Sequence, residues 1–301
     1  MKAAKWYDDG ELTAALPFRY RGYAAYSRLF GDRSTRRVPG GSFLLRVLRR
    51  IDRAASLETT APIHGLDGLV VMADLADERI LDVIHEIRGE NPEYRVMQRL
   101  LSEGDTFMDI GANFGTFSLL ASRIVGETGK VIAIEPQPRL VDFIEESARR
   151  SHALNISVIR RACTEEAEVL LLVPEDDTGR AGFFEAFSGK GRNTSIAAPG
   201  TTLDQISESI PPSGKVLVKI DVEGSELAVL RSGRGFIEAR RPALIVEINP
   251  WSARAAGFSP RDLIDELVEL GYSKFSYVAD YPQTVDHGAI NITRQSNVVA
   301  V

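Results

Sequence analysis

Lys219, Asp221 and Glu223 interrupt the apolar run at the start of KVLVKIDVEGSELAVL, residues 215–230. If the run is a strand, side chains alternate faces, so Val216, Val218 and Ile220 share one side and Leu217, Lys219 and Asp221 the other. Charges set into a buried strand are costly unless they are paired or used. A hydroxyl is a poor nucleophile until its proton is being removed, and a positioned carboxylate or a bound divalent cation such as Mg²⁺ meets that need. Asp221 and Glu223 are therefore the candidate catalytic groups, with Lys219 as the neighbour that orients or balances them. The structural alternative is a Lys219–Asp221 pair with Glu223 capping a helix that starts at Ser225. Glu247, at the end of VEINP, either joins this cluster or caps a strand end.

A second candidate site lies upstream in FMDIGANFGTFSLLAS, residues 107–122, where an apolar strand turns through Gly111, Asn113 and Gly115 into an amphipathic helix. Glycines let the backbone approach a ligand closely, and a helix start offers free N–H groups. The spacing departs from the dinucleotide fingerprint G-x-G-x-x-G, because Asn113 stands at the second glycine and Gly115 follows two residues later. That disfavours a pyrophosphate cofactor. Asp109, just before the loop, suits the ammonium of a methionine moiety better than a phosphate. The next strand ends VIAIEP, which puts Glu135 24 residues after Gly111, where an acid can accept hydrogen bonds from ribose hydroxyls. The structural alternative is that the glycines serve only tight packing and Glu135 is a solvated turn residue.

The elements around these residues follow an α/β rhythm. Apolar runs at 107–110, 130–135, 156–161, 215–221 and 243–248 alternate with helical patterns at 114–124, 139–153 and 225–239, the mark of a parallel sheet with crossover helices. A helix at 260–270, a strand at 274–278 and a final strand at 289–301 follow. Between the third and fourth strands lies an irregular insertion, 165–200, with an extra strand at 167–173. Upstream, helices are expected at 76–87 and 93–101. Two regions result: a helical N-terminal region at 1–90, rich in basic and aromatic residues, and a cofactor-binding domain at 91–301.

Composition narrows the classes. A hydrophobic fraction of 44% with 26% charged residues is that of a globular chain, which argues against disorder. The single cysteine, Cys163, excludes an intrachain disulfide and fits a reducing, cytoplasmic setting. No export signal and no spanning apolar run is read. The net charge of -6 is uneven, since residues 1–53 hold twelve basic against five acidic side chains.

The set DIGANFG, AIEP, TTLD (201–204), KIDVEGSELAVL and VEI resembles the FkbM family of methyltransferases over about 91–247. The resemblance implies a class I, Rossmann-like seven-stranded sheet with one antiparallel strand, S-adenosylmethionine as donor, and O-methylation of a saccharide or secondary-metabolite hydroxyl. It assigns Asp109, Gly111, Asn113 and Gly115 to the cofactor loop, Glu135 to the ribose and Ala162 and Cys163 to the adenine wall. For Cys163 a buried small apolar role is the simpler reading. Asp221 and Glu223 match the acidic motif of the fourth strand.

The N-terminal region matches no pattern. Its basic amphipathic stretch at 42–55 and its mixed arginines and aromatics fit one of three roles: docking on the acidic domain as a lid or homodimer contact, lying on an anionic membrane to reach a lipid-linked saccharide, or binding nucleic acid. Rival activities are weaker. Adenine amino methylation goes with a Pro-Pro-aromatic signature where this chain has Asp-Val-Glu-Gly, so no nucleic-acid substrate is expected. A cofactor-binding subunit without catalysis would not need Lys219, Asp221 and Glu223 together.

Overall fold

The computed structural model describes residues 59–75, 77, 79–166, 168–174 and 193–301. The basic amphipathic stretch and the aromatic-rich segment before it lie outside the described residues. Strands β3 (Thr106–Ile110), β4 (Lys130–Ile134), β5 (Ile156–Ile159), β9 (Val216–Ile220), β10 (Ala243–Ile248), β11 (Phe275–Tyr277) and β12 (Ser296–Ala300) form one sheet in the order β11-β12-β10-β9-β3-β4-β5. β12 is antiparallel to both β10 and β11, while the central strands are parallel. This is the expected sheet with a single reversed strand.

Every residue of β3 and β9 is buried. Their alternating side chains feed two cores, as a parallel sheet covered on both faces requires. Phe107 and Leu217 point into one, with α3 (Thr116–Val125) and α4 (Pro138–Arg150). Met108 and Val218 point into the other, with α5 (Leu203–Ser207), α6 (Glu226–Ser232), α7 (Arg234–Arg240) and α9 (Pro260–Glu269). The chain runs outward from β3 through β4 to β5, then returns to β9 on the other side of β3. The carboxyl end of β3 is thus the topological switch point, where ligands bind in such sheets.

Four elements differ from the sequence expectation. Residues 60–74, assigned to a helical region, form an antiparallel hairpin of β1 (Thr60–His64) and β2 (Val70–Asp74). The amides of Val70 and Met72 on β2 donate to the hydroxyls of Ser151, the residue that ends α4, and Ser147 within it, both buried. An edge strand satisfied by side chains 75 and 81 residues away leaves no local trace. The helix expected at 225–239 breaks into α6 and α7 at Gly233, which packs tightly on Leu203. The final strand covers only Ser296–Ala300, because Asn291 turns the chain by accepting from the amide and hydroxyl of Thr293. The insertion contributes a small sheet in which β8 (Asn193–Thr201) pairs with β7 (Glu168–Pro174) and with β6 (Ala162–Cys163).

Upstream, α1 (Ile80–Ile87) and α2 (Pro92–Leu100) form as expected; Asn91 caps α2 by accepting from the Tyr94 amide at 2.7 Å. Among the described residues no helix is long and apolar enough to cross a membrane.

Candidate active site

β3 and β9 bring Asp109 and Lys219 together as register partners on adjacent strands. Asp109 is fully buried and one carboxylate oxygen accepts from Ser118 at 2.7 Å; the other, Oδ1, has no partner among the described residues. Burial raises the Asp109 pKa, with Lys219 and Ser118 working against it. Lys219 reaches past the Phe117 ring, 4.9 Å from its centroid, and its Nζ lies 2.8 Å from Asp221 Oδ2. Burial works against the charge on each member of this pair. The attraction wins: Lys219 is held above its ordinary value by Asp221 and Asp109, and Asp221 below its own by Lys219 and Arg79.

The glycine loop is anchored from two sides. Gly111 and Ala112 donate to the Ile134 carbonyl, and the Asn113 amide donates to Glu135 Oε2 at 2.9 Å. The other Glu135 oxygen accepts from the Gln137 amide at 3.0 Å. Glu135 therefore sits at the tip of β4 and is tied to the loop it was expected to serve. Gly111 has φ 83°, and a Cβ there would lie 2.0 Å from the Asp221 carbonyl oxygen. Only a residue without a side chain allows the two loops to touch. Ala162 and Cys163 are both buried on β6, and the Cys163 thiol faces the Ser232 hydroxyl at 3.9 Å. Burial pushes that thiol up to about 12, which makes it unreactive.

The loop after β9 bends sharply. Glu223 has φ 50° and Gly224 φ 97°, and left-handed backbone at a non-glycine residue is strain of the kind that clusters at functional sites. The helix-capping role considered for Glu223 is not seen, since no side chain caps the start of α6; Glu226 instead ties down the loop before it, its carboxylate accepting from the amides of Val222 and Gly224. Glu223 is left facing its acidic neighbours. Carboxylate oxygens of Asp221, Glu223 and Glu247 all lie within 4.8 Å of one another. Glu247 thus joins the cluster, steadied by the Gln295 amide at 2.5 Å. Burial and mutual repulsion raise Glu223 to about 9 and Glu247 to about 8, so the cluster retains protons at neutral pH.

Arg79 was not foreseen. It stands just before α1, with Nη2 2.7 Å from Glu86 Oε1, while Thr116 at the start of α3 donates to the other Glu86 oxygen. Burial opposes its charge, yet Glu86 and Asp221 more than compensate and raise its pKa. Its Nε is buried without a partner among the described residues. The sequence signal was slight: one arginine among several charges, far along the chain from Asp221.

The sheet order, its one reversed strand and the acid-rimmed glycine loop define a class I, Rossmann-like methyltransferase. A family model described as the methyltransferase FkbM domain matches residues 109–274, and the chain belongs to that family. It is similar to the hexuronic acid methyltransferase AglP of Haloferax volcanii, 27% identical over 186 residues that cover 62% of this chain and 71% of the relative. Among solved structures it is similar to methyltransferase FkbM from Methylobacillus flagellatus KT at 15% identity and TM-score 0.42, covering 98% of this chain and 82% of that one. It is also similar to a precorrin-6y C5,15-methyltransferase from Geobacter metallireducens at 12% identity and TM-score 0.39, covering 71% and 88%.

The raised carboxylates carry a consequence for stability. In the unfolded chain a glutamate ionises near about 4.3. In the folded chain burial holds Glu135 and Glu226 at about 7, with Glu247 and Glu223 higher still. Over that interval the native state binds more protons than the unfolded state, so stability falls as pH rises. Thermal denaturation of the ligand-free protein should give a lower Tm at about pH 9 than at about pH 6. An equal or higher Tm at the alkaline end would mean these groups ionise freely.

Proposed function

We propose that this methyltransferase uses S-adenosylmethionine as donor and methylates a hydroxyl of a saccharide acceptor. The observation that carries the reading is the acidic crevice at the carboxyl ends of β3, β4 and β9, where Glu135 is bonded to the glycine loop and Asp221 is paired with Lys219. The crevice offers hydrogen-bond acceptors in place of the glycine-spaced phosphate cradle of a dinucleotide site, which favours a donor without a pyrophosphate. Glu135 has lone pairs to accept the ribose hydroxyls, and Asp109 Oδ1, buried and unpartnered among the described residues, suits the ammonium of the methionine end. The acceptor class is drawn from the hexuronic acid named in the AglP relative.

The chemistry is an in-line displacement. An acceptor oxygen forms a bond to the methyl carbon as the carbon–sulfur bond breaks, and that electron pair leaves on sulfur as a neutral thioether. As the new C–O bond forms, the hydroxyl proton becomes strongly acidic, so even a carboxylate kept ionised by Lys219 and Arg79 can take it. Asp221 Oδ2 is engaged by Lys219, which leaves Oδ1 as the proton acceptor. Glu223 and Glu247, protonated at neutral pH, donate hydrogen bonds that hold the acceptor oxygen. A divalent cation would be held by Asp221, Glu223 and Glu247 and would supply Lewis-acid charge to that oxygen.

Incubation with methyl-labelled S-adenosylmethionine and a panel of methyl hexuronides and hexosides tests this reading. Label in a glycoside is the expected result, and label in added RNA or DNA instead would contradict it. A chelator arm decides the cluster's state: activity lost and restored by Mg²⁺ assigns a cation to the three carboxylates, and unchanged activity assigns them protons.

A further inference from the structure

Two buried polar atoms of opposite charge lack a hydrogen-bond partner among the described residues: Asp109 Oδ1 and Arg79 Nε. A buried donor or acceptor left unpaired is costly, so each calls for a reason. Asp109 Oδ1 suits the ammonium of the donor's methionine end. Keeping Asp221 ionised draws on the charge of Arg79 but leaves its Nε–H without an acceptor.

Both side chains are held from the first turn of α3. Thr116 donates to Glu86 Oε2, and Glu86 Oε1 accepts from Arg79 Nη2 at 2.7 Å. Ser118 donates to Asp109 Oδ2 at 2.7 Å, which makes Oδ1 the remaining oxygen. The Arg79 backbone is pinned as well, its amide donating to Asp77 Oδ1 at 2.8 Å. Asp109 and Lys219 are register partners on β3 and β9, and Lys219 is paired with Asp221. The charge of Arg79 acts on Asp221 and Lys219, and that of Glu86 acts on Asp109. Asp109 and Arg79 therefore meet in one crevice, at the carboxyl ends of β3 and β9.

Nearby side chains do not take over either role. Lys219 is buried with its Nζ 2.8 Å from Asp221, so its charge is already answered. Glu223 could reach Nε only through a shift of its loop, and that loop is backed by α8 (Pro250–Ala255). The carbonyl of Ser252 on α8 would lie 2.8 Å from a Cβ placed on Gly224.

An α-amino acid carries its ammonium and its carboxylate on one carbon, so a site for it needs an acceptor and a cation close together. A guanidinium meets a carboxylate through charge-assisted hydrogen bonds. We propose that Arg79 binds the carboxylate of the donor's methionine end through Nε, while Asp109 Oδ1 takes the ammonium on the same carbon. The proposal rests on the S-adenosylmethionine reading above and adds a contact from outside the family-matched residues 109–274. It makes the protein selective for a donor with an intact amino-acid end.

Calorimetric titration of the full chain with three ligands tests this without turnover. S-adenosylmethionine has both groups, its decarboxylated form keeps the sulfonium and the ammonium, and 5′-methylthioadenosine has neither group. The native protein should bind the intact donor about ten- to a hundredfold more tightly than the decarboxylated one, the range for a hydrogen bond to a charged group. Arg79→Met should bind the two about equally, with its affinity for 5′-methylthioadenosine unchanged. Should Arg79→Met fail to fold, Arg79→Lys carries the test: it can keep an ion pair with Glu86 but has no Nε–H, and its preference for the intact donor should shrink.

Equal affinity of the native protein for the two donors would overturn the proposal and leave the donor reading standing. A preference that survives undiminished in the folded variant would also overturn it, because the carboxylate is then held elsewhere. A folded variant that loses 5′-methylthioadenosine as well would make Arg79 a structural strut. Binding of none of the three ligands by the native protein at millimolar concentration would contradict the donor reading and the proposal with it.

Discussion

Asp221→Asn protein is expected to bind S-adenosylmethionine about as well as the native chain while turning over about 10²- to 10⁴-fold more slowly, the range for removing a positioned acid–base group. The amide keeps the size of the carboxylate, and the backbone contact with Gly111 is unaffected. What is lost is the proton acceptor and the charge opposite Lys219. That lysine is buried, and a buried cation deprived of its partner is costly, so some loss of Tm should accompany the loss of rate. Asp109 remains as a second counter-charge for Lys219 and limits the damage. Calorimetry with S-adenosylmethionine and single-turnover kinetics separate the effects. Turnover within tenfold of native would make the Lys219–Asp221 pair structural.

Gly111→Ala should be the most damaging single-methyl change in the site. The added carbon would sit 2.0 Å from the Asp221 carbonyl, and the φ of 83° is already unfavourable for a residue with a side chain. Either the glycine loop or the β9 loop must move, and each carries part of the crevice. Cofactor affinity and turnover should both fall by at least about a hundredfold, with a lower Tm. Gly68→Ala supplies the control: its φ is 76°, yet nothing lies within 4 Å of the added carbon. It should show only the backbone penalty of about 1 kcal/mol and native binding. If the two variants behave alike, contact between the two loops is not what shapes the site.

What could be read from the chain was whatever local periodicity and spacing record. The central strands, the glycine loop, Glu135 at the tip of the next strand and the paired Lys219 and Asp221 all follow from patterns shorter than about thirty residues. Contacts made across the fold left no such record. Arg79 reaches the site only because α1 packs beside α3, and the Glu86–Thr116 bond that fixes it spans 30 residues. The β1–β2 hairpin depends on Ser147 in α4 and Ser151 at its end, which look like ordinary small residues of a helix and its cap. The helix break at Gly233 is set by a neighbour, Leu203, on another element. Local geometry also decided the role of Glu223: spacing alone allowed it to cap the helix at Ser225, whereas the bend at Glu223 leaves the loop amides to Glu226. Glu247 was ambiguous for the same reason, since adjacency of β10 to β9 is a property of the sheet.

The central claim is that a sulfonium donor spans the tips of β3 and β4, and calorimetric titration with S-adenosylhomocysteine tests it most directly. One site per chain is predicted, weakened by about 1 to 3 kcal/mol in Glu135→Ala through loss of a charged hydrogen-bond acceptor. Absence of heat from the native protein at millimolar ligand, or equal affinity in the variant, would contradict it.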